Sequence, residues 1–118
     1  MLARDAKIYK DTYTLACTLF NMTRKFRGDL RATLAKRIED TVLDIADIIV
    51  EANLAQTADE RVRLLSGGFC VSYERLQFLI NIAVEQKQIS FRQHANISRM
   101  MDEIGRQATG WRKSAARH

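Results

Sequence analysis

The segment from Leu34 to Leu54, LAKRIEDTVLDIADIIVEANL, decides the fold. At about 100° per residue, Ile38, Thr41, Val42, Ile45, Ile48, Ile49 and Ala52 gather along one stripe of a helix, with Asp40, Asp44, Asp47 and Glu51 in a narrow acidic stripe behind it. The rest of the circumference is not polar. Leu43, Ala46, Val50 and Leu54 form a second apolar strip between those two, so roughly two thirds of the surface carries no charge. One buried face needs only about a third to a half. The helix is therefore expected to meet more than one neighbour, either as a corner helix of a single bundle or through a second subunit.

Outward from this helix, predicted over about 30–55, the same periodicity continues. Upstream, Ile8, Thr12, Leu15, Leu19, Met22 and Phe26 alternate four and three apart, a bundle seam on a helix over about 5–25, and Tyr9, Tyr13, Ala16 and Phe20 widen it. Lys7 and Asp11 are placed for an i, i+4 pair. Arg24, Lys25 and Arg27 close this helix, with Gly28 available for a left-handed turn. They read either as compensation of the helix dipole or as a phosphate-contacting cluster. Asp29 or Thr33 could cap the helix that follows.

Downstream, Thr57-Ala58-Asp59-Glu60 has the spacing of a capping box and opens a third helix over about 58–86, with its seam through Val62, Leu65, Phe69, Ser72, Leu76, Leu79 and Ala83. Ser66-Gly67-Gly68 interrupts it. Two glycines inside a helix cost about 1 kcal/mol each against alanine, so a kink or a close crossing of another backbone is expected. A phosphate loop is excluded by the lack of a preceding strand and a following Lys-Ser/Thr. Ser90-Phe91-Arg92-Gln93 is a second capping box, with Ile89 placed to staple it, and opens a fourth helix over about 90–115. Its seam is His94, Ile97, Met101, Ile104, Ala108 and Trp111, with Gly105, Ala108 and Gly110 small enough for tight helix packing. On its far side Arg92, Arg99, Arg106 and Lys113 recur every seven residues. This is either a solvated face, aided by Asp102–Arg106 and Arg99–Glu103 pairing, or a polyanion-binding row.

The chain thus reads as an all-α, antiparallel, up-and-down four-helix bundle, and its 118 residues without proline suit one domain over 1–118 that needs no disulfide. The net charge of +5 divides into blocks of +6 over 1–38, −7 over 39–60 and +6 over 61–118, so acidic and basic surfaces should be separate. Cys17 and Cys70 are expected as reduced, buried thiols, and Phe20, Phe26, Phe69, Phe78 and Trp111 as core. His94 lies on an apolar seam and no His, Cys and carboxylate set has metal-ligand spacing, so neither metal, cofactor nor catalytic group is expected. No run of about 18 apolar residues occurs, and MLARDAKIYK lacks the apolar middle of a signal peptide, which points to a cytoplasmic protein off the membrane.

Two stretches carry a family resemblance. Leu34-Ala35-Lys36-Arg37-Ile38 through Leu43-Asp44-Ile45 to Glu51-Ala52-Asn53 resembles the LGxRL…AN helix of a group of small four-helix bundle proteins. Ile89-Ser90 with Met101-Asp102-Glu103-Ile104-Gly105-Arg106-Gln107 and Gly110-Trp111 resembles their IS…EIGRxLGGW ending. The group comprises Avd, the accessory variability determinant of diversity-generating retroelements, and the 23S ribosomal RNA intervening-sequence proteins. The likeness runs from about Tyr9 to Lys113, and the closeness of its Glu-Ile-Gly-Arg and Gly-Trp elements favours the retroelement branch. Ala35 stands where the group has glycine, Ala108-Thr109 replaces Leu-Gly, and Ser66-Gly67-Gly68 occupies a segment that usually forms helix better.

The resemblance implies a homopentameric barrel with a basic surface that binds the element's reverse transcriptase and nucleic acid during mutagenic copying of template RNA. The basic candidates are Arg24, Lys25, Arg27, Arg92, Arg99, Arg106, Arg112, Lys113 and Arg117, expected to touch phosphates with little base reading. The strip of Leu43, Ala46, Val50 and Leu54 is the expected oligomer interface.

Overall fold

In the computed structural model, which describes residues 6–117, every regular element is helical. The elements are α1 (Lys7–Thr23), α2 (Lys36–Leu54), α3 (Ala58–Ser66), α4 (Gly68–Glu85) and α5 (Phe91–Ala116). The expected start of the first helix at residue 5 lies outside the described residues. Along α2 the apolar stripe behaves as its spacing requires, with Ile38, Thr41, Val42, Ile45, Ile49 and Ala52 buried and Ile48 half-buried. The acidic stripe is fully outside. Facing the apolar stripe across the core are Leu15 and Leu19 of α1, Leu65 of α3, Leu76 and Ile80 of α4, and Ile97 and Ile104 of α5, each almost closed to solvent.

α2 packs against α1 on one side and against α3 and α4 on the other, while α5 closes the ring against α1 and chiefly against α3. α2 and α5 therefore hold diagonal corners. The connections 24–27, 55–57 and 86–90 are short enough that each helix returns beside the one before it. Ala6, Ile8, Asn53, Gln107 and Trp111 accordingly line one pocket, where the start of α1 meets the ends of α2 and α5. At the other end the Arg27 N–H donates to the Gln88 side-chain oxygen over 2.7 Å, joining two turns. The result is an elongated antiparallel bundle of 47 × 24 × 22 Å.

Several local expectations change. Gly28 makes no left-handed turn; it opens a short helical lead-in (Gly28–Leu30) that runs through a π-helical stretch (Arg31–Ala35) into α2. Neither Asp29 nor Thr33 caps it, because Asp29 is engaged with Arg27 and the Thr33 hydroxyl donates to backbone carbonyls one turn back. Thr57 does accept from the Glu60 N–H over 3.1 Å, and Ser90 and Gln93 complete a reciprocal capping box, with Ile89 buried beneath it. The left-handed turn falls instead at Lys87, φ 61°, where the N–H of Gln88 reaches the Ala83 carbonyl and that of Lys87 the Val84 carbonyl, in the hydrogen-bond pattern of a Schellman ending.

The third predicted helix is two helices. Gly67, at φ −101° and ψ −88°, breaks the rod, and a Cβ there would stand 3.0 Å from the Arg63 carbonyl oxygen. What approaches at Gly68 is the Ile48 side chain, 3.3 Å from where a Cβ would lie, rather than another backbone. Gly105 makes a true close contact, since its Cβ would sit 3.0 Å from the Tyr73 hydroxyl, whereas Gly110 faces open space and packs nothing. Cys17 and Cys70 are exposed, contrary to expectation, because each sits just off the apolar stripe of its helix. Phe26 and Phe69 are core, but Phe20 and Phe78 are exposed and Trp111 is only half-buried.

Arg61 ties α3 to α2. Its guanidinium donates to the Ala52 carbonyl over 2.8 Å, which otherwise holds only a 3.4 Å bond from the Ala55 N–H, and to the Ala55 carbonyl over 3.0 Å, placing a cation at the negative pole of α2. Arg61→Ala is expected to cost about 1–1.5 kcal/mol in denaturant unfolding, and Arg61→Lys to recover only part of it, because an ammonium lacks the fork that spans both carbonyls.

Candidate nucleic-acid interface and apolar faces

On α5, about 100° per residue places Arg92, Arg99, Arg106, Lys113 and Arg117 within roughly 60° of one another, opposite the seam of Ile97, Met101, Ile104 and Ala108. All five are exposed. They make a basic ridge along the outer edge of a helix about 39 Å long. Arg112 is not part of it; it lies about 120° from Arg106 and is half-buried. On the diagonal corner, α2 turns Asp40, Asp44, Asp47 and Glu51 outward. Acidic and basic corners are therefore separate, as the charge blocks suggested.

Ridge pairing is light and differs from the expected pattern. Arg99 donates to the Asn96 side-chain oxygen over 2.6 Å, and Arg106 pairs with Glu103 over 2.9 Å. Glu103 also meets Lys7 at 3.3 Å, so it bridges α5 to α1 instead of pairing with Arg99. Such exposed pairs contribute about 0–1 kcal/mol and leave the ridge strongly positive.

Arg24, Lys25 and Arg27 are exposed in the α1–α2 turn, at the bundle end where α5 begins. Arg24 is held by the Asn21 side chain. Arg27 grips Asp29 with two bonds, of 2.7 and 3.3 Å, and the Arg27 hydrogen bond holds the Asp29 carboxyl below its ordinary range. Much of the Arg27 charge is thus already matched. Arg112, Lys113 and Arg117 are at the far end, so eight of the nine candidates form an end cluster and a ridge rather than one patch, and Arg112 lies outside both. Arg31, in the π-helical stretch, and Lys87, in the α4–α5 turn, are exposed cations of the same end. Sequence reasoning passed over both, because neither falls on a regular helical row.

Between α1 and α5 the ridge is anchored by a polar bridge. Asp11 accepts from Lys7 and from the Gln107 amide, each over 2.7 Å. The Lys7 hydrogen bond holds the Asp11 carboxyl below its ordinary 3.8. A depressed carboxyl stabilises the fold above the unfolded value and loses that contribution as pH falls through the folded one. Thermal melts between about pH 3 and pH 6 should therefore show Asp11→Asn to be less acid-sensitive than wild type. Equal sensitivity of the two would dismiss the bridge as a contributor.

The second apolar strip of α2 is partly open: Leu43 and Leu54 are 46% and 67% exposed, and Ala46 and Val50 half-buried. The Thr23 hydroxyl, donating to Glu39 over 2.6 Å, shows that this flank of α2 faces α1. On α1, Lys7 and Asp11 face α5, which puts Tyr9, Tyr13, Ala16 and Phe20 on the opposite flank, beside the strip. Tyr13 is 64% exposed and Phe20 37%. Of the residues expected to widen the core seam, Tyr9 and Ala16 do pack against the core, whereas Tyr13 and Phe20 extend an apolar face over α1 and α2.

Among the described residues no group of three or more His, Cys, Asp or Glu is placed to hold a metal ion, and no helix is long and apolar enough to cross a membrane. The described residues thus form a helical bundle with basic and acidic corners on one diagonal and a partly open apolar face. The family model described as bAvd-like matches residues 7–115, and the chain belongs to that family. No curated protein matches it.

Proposed function

We propose that the protein is a non-catalytic accessory subunit of a diversity-generating retroelement, a cytoplasmic homopentameric ring that holds the element's reverse transcriptase together with template RNA, complementary DNA or their hybrid. Membership of the bAvd-like family supports the retroelement setting. The α5 ridge of Arg92, Arg99, Arg106, Lys113 and Arg117 carries the nucleic-acid half of the reading, because a row of lightly paired cations neutralises phosphates regardless of sequence. Leu43, Ala46, Val50 and Leu54 serve self-association, which repeats the ridge around the assembly. No cofactor takes part.

The test is retention of RNA and of RNA–DNA hybrid by the purified protein from ~50 mM to ~300 mM salt, together with co-purification of the reverse transcriptase. Binding that falls steeply with salt is expected; no binding at ~50 mM salt removes the nucleic-acid half. Charge reversal at Arg24, Lys25 and Arg27, compared with Arg106, Lys113 and Arg117, sorts the end cluster from the ridge. The open apolar face favours a second reading, a purely structural protein-interaction module of the intervening-sequence type, for which partner binding is insensitive to salt and no nucleic acid is retained.

A further inference from the structure

Two irregular stretches of backbone meet at one end of the bundle, and each holds out a cation. The first is the π-helical stretch that leads into α2. Counted back along an unbroken α-helix at about 100° per residue, Arg31 would fall within about 20° of Ile38, in the middle of the buried stripe. The wider π turn takes up one extra residue, so Leu30 packs against the core and Arg31 is exposed. The second is the α4–α5 turn, where Lys87 takes φ 61°, a left-handed position that ordinarily goes to glycine or asparagine. The hydrogen bond from the Arg27 N–H to the Gln88 side chain holds the two turns together. Among the described residues no carboxylate pairs with Arg31 or Lys87.

α5 begins beside them. Its first residue, Phe91, is 83% exposed and adds nothing to the core, and the next, Arg92, is the first cation of the ridge. Lys87, Phe91 and Arg92 therefore mark a corner, where the long edge that carries the ridge meets the end of the bundle.

We propose that a single strand of nucleic acid coming off the α5 ridge turns this corner, its phosphates passing from Arg92 to Lys87 and Arg31 while an unpaired base stacks on Phe91. This deepens the nucleic-acid half of the proposed function and rests on it. An exposed aromatic ring among cations is the combination that holds single strands, because the ring accepts the face of any base and the cations follow the backbone. A duplex is excluded by its stiffness. The persistence length of double-stranded DNA, about 50 nm, is roughly ten times the 47 Å length of the bundle, so a double helix on the ridge runs straight past the end. Its bases are also paired and stacked inside, out of reach of Phe91. The ridge thus serves both forms and the corner only one. The backbone agrees with this division, since strained conformations persist where function holds them, and lysine at the left-handed position gives up the local stability that glycine would bring in exchange for a charge.

Two probes test this: a blunt RNA–DNA hybrid of about 20 base pairs, and the same hybrid carrying a single-stranded tail of about ten nucleotides. Wild type is expected to bind the tailed hybrid about tenfold more tightly than the blunt one at ~50 mM salt. In the variant Arg31→Gln with Lys87→Gly and Phe91→Ala, that gain should vanish while affinity for the blunt hybrid stays within about twofold. All three positions are exposed, so the fold should survive. Lys87→Gly alone is the safeguard: it relieves the left-handed residue and should melt no lower than wild type, yet it should weaken the tailed hybrid and spare the blunt one. If wild type binds neither probe, the nucleic-acid half of the proposed function falls and this inference with it. If wild type binds both probes equally, or the triple variant weakens both equally, the corner assignment is wrong while the ridge stands.

Discussion

Replacing Arg92, Arg99, Arg106 and Lys113 together by glutamine is expected to lower affinity for RNA by about 100-fold or more at ~50 mM salt, with single strands and duplexes weakened alike. The expectation follows from the ridge's position. These side chains lie on the outer edge of α5, away from the core, so their loss should leave the fold and the melting temperature nearly unchanged. Each phosphate contact removed should reduce the slope of log affinity against log salt by about 0.7–0.9. That slope is the decisive measurement, because a variant that merely loosened the bundle would lose affinity without a proportionate change in it. An unaltered slope would show that phosphates are met elsewhere, and the end cluster of Arg24, Lys25 and Arg31 would be the next surface to neutralise.

Gly105→Ala is expected to destabilise the protein by about 2 kcal/mol, against the general rule that alanine improves a helix over glycine by about 1 kcal/mol. A Cβ at this position meets the Tyr73 hydroxyl at 3.0 Å and its ring carbon at 3.2 Å. Tyr73 cannot easily move, since its hydroxyl donates to the Met101 carbonyl over 2.8 Å and its ring stacks on Phe69 with centroids 5.7 Å apart. Burial also raises the Tyr73 pKa, as expected for a phenol held in an apolar setting. Denaturant unfolding of Gly105→Ala, Tyr73→Phe and the double variant forms the test. Removing the hydroxyl takes away the nearest atom, so the double variant should cost less than the sum of the two singles. Simple additivity would mean that the close contact is not what requires glycine.

Much of this architecture could be read from the residues, because the sequence pattern and the packing obey the same period. Ile38, Val42, Ile45 and Ile49 are buried as their spacing demands, and Thr57 and Ser90 mark helix starts through hydrogen bonds that only a few side chains can make. What escaped notice concerns the edges of stripes. A helical wheel gives the direction of Tyr13, Phe20, Phe78 or Cys70 but not where the neighbouring helix stops covering it, and each of these lies just beyond that limit. Charge partners escaped for a related reason. Asp102 and Glu103 were equally spaced candidates for the ridge arginines, and Glu103 is drawn toward α1 by Lys7, which sequence separation conceals. The α5 ridge was visible as a heptad row, whereas Arg31 and Lys87 sit where the backbone leaves the regular helix and no row exists to reveal them.

The break at Gly67 lets one rod serve two masters. Before it, α3 runs with α5; after it, α4 leans toward α2, and the parting of α4 from α5 is what hollows the molecule on that side. The hollow therefore lies along the half of the rod that follows the break. The poor helix-forming pair at Gly67 and Gly68 thus weakens the rod locally and leaves the α4/α5 side of the bundle open.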